Sequence, residues 1–276
     1  MKLVYLGTPE IAVPPLRALV GAGHDVTRVI TRADKRRGRG SALSSSPVKE
    51  AALDLGIPVS SDPDDVVSAA AGGTELGVVV AYGRLLRPHH LDALPMINAH
   101  FSLLPRWRGA APVERALLAG DDVTGVCVMR VEEGLDTGGV YACAEVPITP
   151  ATTAGDLRAV LVDVASELLV ETLARPLGSW IDGAIPQQGD VTYAAKLTKE
   201  EFEIDWDQPA DAVHRLVRVG GAWTTFRDKR LKIVAADVVD GRLVPTRVQP
   251  EGKGEMSFDA WRNGARPAAT ELFGDR

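Results

Sequence analysis

Asn98, His100 and Ser102 stand at a spacing of two directly after an apolar run, and Leu103-Leu104-Pro105-Arg106 follows them. A strand turns alternate side chains to one face, so Asn98 and His100 would emerge side by side where the strand gives way to the loop. An amide N–H donor beside a titratable imidazole suits a reaction that builds negative charge on a carbonyl oxygen and moves a proton. The competing reading is a core histidine satisfied by a backbone carbonyl, but the strand-end position before a proline-bearing loop favours catalysis. Asp136 lies in Gly134-Leu135-Asp136-Thr137-Gly138, where taken alone it reads as a turn residue bonding its own backbone. His24, His89, His90 and His214 lack such company and read as surface or capping residues.

Lys35-Arg36-Arg37-Gly38-Arg39-Gly40 packs four cations into six residues. Its glycines and the serines that follow make it a flexible loop, either solvated or gripping phosphate. A smaller cationic cluster lies at 227–232. Leu6-Gly7-Thr8-Pro9 follows the first apolar run but lacks the spacing of a dinucleotide fingerprint, so a tight strand-to-helix turn is the better reading.

The elements that must position these groups alternate between strand and helix patterns. Apolar runs at 3–6, 26–30, 76–81 and 96–100 read as buried strands, with a helix at about 9–20 and another opening at Ser46-Pro47 as N-cap and first helical residue. Such alternation implies an α/β fold with a mostly parallel sheet, and ligands gather at the carboxyl ends of its strands. A short helix at 112–119, strands at 124–131 and 139–146, and an amphipathic helix at 154–173 complete a first domain over 1–175. From Pro176 the texture turns to Gly, Pro, Gln and Asp, which suggests a linker over 176–198. A small β-rich domain over 199–276 follows, with a helix at 209–219 and strands at 231–239 and 242–248.

A chain of 276 residues suits two domains, and a net charge of −6 argues against a basic surface for bulk nucleic-acid binding. Local basic patches on an acidic protein still allow a grip on a polyanion at one place. Cys127 and Cys143 read as reduced core fillers, which points to a cytoplasmic protein. No apolar run is long enough to cross a bilayer, and residues 1–7 enter a strand pattern too soon for a signal peptide.

Together these pieces resemble the folate-dependent formyltransferases. The resemblance rests on Asn-Ala-His-Phe-Ser-Leu-Leu-Pro-Arg-Trp-Arg-Gly-Ala-Ala-Pro at 98–112 and Gly-Leu-Asp-Thr-Gly at 134–138. Trp107 to Pro112 narrows it toward enzymes acting on aminoacyl-tRNA, as do Gly38-Arg39-Gly40 before Ser46-Pro47-Val48-Lys49, Val80-Ala81-Tyr82-Gly83 and Lys196-Leu197-Thr198-Lys199-Glu200. It implies a Rossmann-like catalytic domain, an oligonucleotide-binding-like (OB-like) second domain, and formyl transfer from 10-formyltetrahydrofolate to the α-amino group of initiator methionyl-tRNA. Asn98, His100 and Asp136 would be catalytic, and Ser102, Leu103, Leu104 and Pro105 would line the folate site, with a plausible cis Leu104–Pro105 bond. Lys35, Arg36, Arg37 and Arg39 would contact the tRNA, and no metal would be needed. An acceptor of another kind, an amino-sugar nucleotide or glycinamide ribonucleotide, would need the same three catalytic residues but not the basic loop. A non-catalytic RNA-binding protein on the same scaffold would need none of the three. Phe101 replaces a usually small residue, Arg36 and Arg37 replace a Pro-x pair, prolines are missing near Trp223, and the second domain is short around Asp240.

Overall fold

Five of the six residues of Lys2–Gly7 and all five of Leu76–Val80 are buried, the pattern of strands covered on both faces. They lie side by side in parallel near the middle of a seven-stranded sheet. In a computed structural model, which describes residues 1–37, 42–268, 271 and 273–274, the order across the sheet is Val140–Pro147, Val123–Arg130, Met96–His100, Leu76–Val80, Lys2–Gly7, Asp25–Ile30 and Val59–Ser60. The five strands from Met96–His100 to Val59–Ser60 run parallel, while Val123–Arg130 and Val140–Pro147 add antiparallel pairs at one edge. The mostly parallel α/β architecture expected from the alternation of patterns is therefore present.

The helix Pro47–Asp54 starts as its sequence requires: the Ser46 side chain accepts from Lys49 N–H at 3.1 Å, and Pro47 occupies a position whose missing N–H costs nothing. The first helix begins later than its pattern suggested. A 3-10 turn at Glu10–Ala12 precedes Val13–Gly21, and the buried Tyr5 hydroxyl donates to the Ala12 carbonyl at 2.6 Å. Burial also pushes the Tyr5 hydroxyl well above its ordinary pKa.

The cysteine expectation is overturned. Cys127 and Cys143 form a disulfide. They occupy directly paired positions of two antiparallel strands, with Cα atoms 4.2 Å apart. Cross-strand register, which the sequence spacing does not express, brings them together. The compartment argument that rested on free thiols loses that support.

The chain divides into two compact units. The first comprises Met1–Pro112, Val123–Pro147 and Arg158–Ala194, the second Val113–Asp122, Ile148–Leu157 and Ala195–Arg276. The second holds an antiparallel sheet of Trp223–Phe226, Lys229–Val239, Arg242–Pro250 and Met256–Ser257, with helices Ala210–Val219 and Phe258–Ala265. Around Asp240 the chain turns in two residues. Asp240 and Gly241 take φ of 49° and 73° between the paired Val239 and Arg242. Positive φ at both central residues matches the twist of a hairpin, which is why Asp-Gly serves here.

Trp261, 8% exposed, packs edge-on to Phe226 with ring centroids 5.0 Å apart and belongs to a core with Ile204, Val213, Leu231 and Val248. Trp261→Ala is expected to remove about 3–5 kcal/mol from the unfolding of this unit. Urea denaturation followed by fluorescence of the remaining tryptophans checks it, and an unshifted midpoint would take Trp261 out of the core account. Among the described residues no helix is long and apolar enough to cross a membrane.

Candidate active site

Met96–His100 is gripped from both sides. Asn98 pairs with Val79 on the parallel neighbour and with Met129 on the antiparallel one, and His100 pairs with Cys127. The two polar residues thus sit in fixed register on the last turns of pleat before the chain leaves the sheet, at the carboxyl edge where open α/β sheets hold ligands. Asn98 is half-buried, and its side-chain amide forms no hydrogen bond among the described residues, which leaves both N–H groups able to donate.

His100 is 6% exposed, with Nε2 at 2.9 Å from the Trp107 carbonyl oxygen. A carbonyl only accepts, so that contact assigns the proton of the neutral ring to Nε2. Nδ1 then carries the lone pair, and it faces Asp136 Oδ2 at 3.6 Å. That separation is too long for a hydrogen bond. The same Oδ2 accepts from Gly109 N–H at 2.8 Å, which aims the carboxylate. Asp136 is therefore more than a self-bonded turn residue: its backbone has φ of 50°, a left-handed conformation uncommon outside glycine, and its side chain reaches across to another loop.

The loop after the strand is closed by its own groups. Ser102, fully buried, donates its hydroxyl to the Arg106 carbonyl at 2.6 Å, and the Leu104–Pro105 peptide is cis. Leu103 and Leu104 are half-buried, whereas Pro105 and Phe101 are buried. Beyond it, residues 107–111 are clamped to 192–194: Trp107 N–H donates to Thr192 Oγ1 at 2.9 Å, and Ala110 and Ala111 donate to the Ala194 carbonyl at 2.9 and 3.1 Å. Gly109 has φ of 121° and an added Cβ would lie 3.0 Å from that carbonyl, so only glycine fits there. Nothing in the sequence marks Trp107, Gly109 or Thr192 individually as a site residue. Two of them act through backbone atoms, which carry no side-chain signature.

Residues 38–41 of the basic segment lie outside the described residues, and what flanks them is strand, where a loop was expected. Lys35–Arg37 and Ala42–Ser44 form an antiparallel pair, with Lys35 opposite Ser44 and Arg37 opposite Ala42. Lys35 is exposed, and the preceding Asp34 pairs with Lys49 at 2.7 Å. Arg39 lies outside the described residues. Lys35–Arg37 follows the parallel strand Asp25–Ile30, so the chain leaves the sheet there at the same carboxyl edge as His100.

Asp64, His89 and His90 bring ligand-type atoms within 4.8 Å of one another, a cluster that local spacing concealed. His90 Nδ1 accepts from Arg87 N–H at 3.0 Å, so its Nε2 bears the proton and donates to Asp64 Oδ1 at 2.7 Å. With no lone pair turned inward, the His90 ring does not offer Nε2 to a metal. Hydrogen bonds from His89 and His90 hold the Asp64 carboxyl below its ordinary range. His90 is a capping residue, since its ring accepts from the N–H of Arg87, the N-cap of the helix Pro88–Ala93.

Comparison with known proteins places this geometry in a family. Residues 1–173 match the model for formyl transferases, and residues 196–243 match that for the formyl transferase C-terminal domain. The methionyl-tRNA formyltransferase of Roseobacter denitrificans is 45% identical over 99% of both chains. That of Symbiobacterium thermophilum is 42% identical over 96% of this chain and 92% of its own. Among solved structures, the methionyl-tRNA formyltransferase from Clostridium thermocellum aligns over 92% of this chain and all of its own, with a TM-score of 0.61 and 14% identity, which speaks for the fold. This chain belongs to the formyltransferase family and, by full-length identity, stands among its methionyl-tRNA formyltransferases.

Proposed function

We propose that the protein transfers a formyl group from 10-formyltetrahydrofolate to the α-amino group of methionyl-initiator tRNA, in the cytoplasm, with Asn98, His100 and Asp136 as the catalytic residues. The observation that carries the chemical part is Asn98 two residues before His100 on one strand, with the His100 Nδ1 facing a carboxylate oxygen. The acceptor is supported by the likeness to relatives of that name across their full length.

The neutral amine attacks the formyl carbon, and a new C–N bond forms as the carbonyl π pair moves onto oxygen. The Asn98 amide donates to this oxyanion and carries no charge of its own to desolvate. The nitrogen that attacked must lose one proton, and N10 of the folate must gain one as its bond to the formyl carbon breaks. His100 Nδ1 and Asp136 Oδ2 face one another across the gap where that proton travels. A ring protonated there keeps the Trp107 carbonyl as acceptor at Nε2 and faces the opposite charge of the Asp136 carboxylate at Nδ1. The net transfer consumes no proton and needs no oxidant. Ser102 acts by closing the loop, and Leu103, Leu104 and Pro105 supply the apolar surface beside it for the folate rings.

Incubation with labelled 10-formyltetrahydrofolate and, separately, methionyl-initiator tRNA, an amino-sugar nucleotide or glycinamide ribonucleotide tests the reading. Label on the tRNA alone supports it. Label on a small acceptor instead, or on none, overturns it. For the basic run, neutralising Arg37 and Arg39 together is expected to weaken tRNA binding and to lower the slope of log affinity against log salt by roughly 1–2, since each phosphate contact contributes about one unit. An unchanged slope would return that segment to a solvated loop.

A further inference from the structure

Gln187 lies in the glycine- and proline-rich stretch after the long helix, where nothing in the sequence marks it. Its side chain is half-buried and all its polar valences are used. Nε2 donates to the backbone carbonyls of Asp136 and Gly138, both at 2.8 Å. Oε1 accepts two N–H groups from one guanidinium, Arg108 Nε at 3.0 Å and Nη2 at 2.6 Å. The amide orientation follows from chemistry: reversed, it would set NH2 against a guanidinium and oxygen against two carbonyls.

Both ends of the segment bearing Gln187 are anchored. Val140, just past the Asp136 loop, exchanges backbone hydrogen bonds with Ile185 at 2.7 and 2.9 Å. Thr192 and Ala194 pair with Arg108 and Ala110, at the end of the His100 loop, at 2.9 Å. The segment spans the two loops that face each other across the candidate site, and Gln187 is its crosslink. What the crosslink holds is a strained residue. Asp136 sits at φ of 50°, a conformation that disfavours a side chain with a Cβ, and its carbonyl is one of the two that Gln187 grips. The carboxylate of that residue takes its aim from Gly109, the neighbour of Arg108.

We infer that Gln187 is a positioning residue for formyl transfer: with Arg108 it locks the Asp136 backbone so that the carboxylate stays opposite His100 Nδ1. This rests on the reading of Asp136 as a catalytic group. A misplacement on the order of 1 Å costs about a hundredfold in rate, and the Gln187 contacts are of the kind that prevents it. Gln187→Met, of similar length but without donors, is expected to lower kcat by roughly tenfold to a hundredfold while KM for methionyl-tRNA and for 10-formyltetrahydrofolate moves less than about threefold. Gln187→Glu keeps an acceptor for Arg108 and loses the donors to Asp136 and Gly138. It is expected to show the same kcat loss and guards against a folding defect in the first variant.

The deciding measurement is the double-mutant cycle with Asp136→Asn. If Gln187 works through Asp136, adding Gln187→Met to Asp136→Asn lowers kcat no further. An equal loss in both backgrounds would make Gln187 a general structural support and overturn the inference, as would wild-type kcat in both Gln187 variants. Full turnover by Asp136→Asn alone would remove the catalytic carboxylate itself, a separate failure of the function proposed above.

Discussion

Asp136→Asn is expected to depress kcat by about 10²–10⁴-fold, the range for loss of a positioned general acid–base group. The substitution keeps the size of the side chain and an oxygen for the Gly109 N–H that now donates to Oδ2 at 2.8 Å. It removes the negative charge that lies 3.6 Å from His100 Nδ1. The attacking amine must shed a proton, and a neutral amide at this place neither accepts it nor stabilises an imidazolium that has. Binding of both substrates should change little, because the carboxylate is only 17% exposed and faces the His100 ring. Steady-state formylation with each substrate varied in turn checks this. Near-normal kcat in a folded variant would exclude Asp136 from proton transfer.

The second large effect is expected from Asn98→Ala. Loss of one oxyanion donor costs roughly 3–4 kcal/mol of barrier, or about 10²–10³-fold in kcat. The side chain is half-buried on a strand paired on both sides, so truncation should leave the sheet intact. The loss should fall on kcat, because the amide donates most strongly to an oxygen that has become an anion. A variant that raised KM and spared kcat would show that Asn98 binds a substrate in its ground state instead.

Much of this arrangement was legible in the order of residues. Period-two and continuous apolar runs are local consequences of a sheet that buries one face or both, so the parallel strands and the strand-end location of Asn98 and His100 follow from the chain itself. Ser46 and Pro47 announce a helix start by their own chemistry, and the structure places the cap there. The resemblance carried by 98–112 and 134–138 anticipated the family. What escaped was non-local. Cys127 and Cys143 read as separate thiols because only the register of two strands makes them partners. The cationic run read as a loop because its cross-strand partners, Ala42 to Ser44, give no apolar alternation to detect.

The sequence by itself determined the candidates for the chemistry: an amide and an imidazole at strand spacing, joined by a carboxylate in a glycine-flanked turn that the family resemblance adds to them. Only the tertiary structure decided how they act. It set the His100 proton on Nε2 through the Trp107 carbonyl, turned Asp136 toward Nδ1 through the Gly109 N–H, and tied the Asp136 backbone to Arg108 through Gln187. The reason is physical. Composition and periodicity report which side chains a local element presents, whereas the direction of a hydrogen bond depends on backbone groups, alike in every residue, brought together from distant parts of the chain.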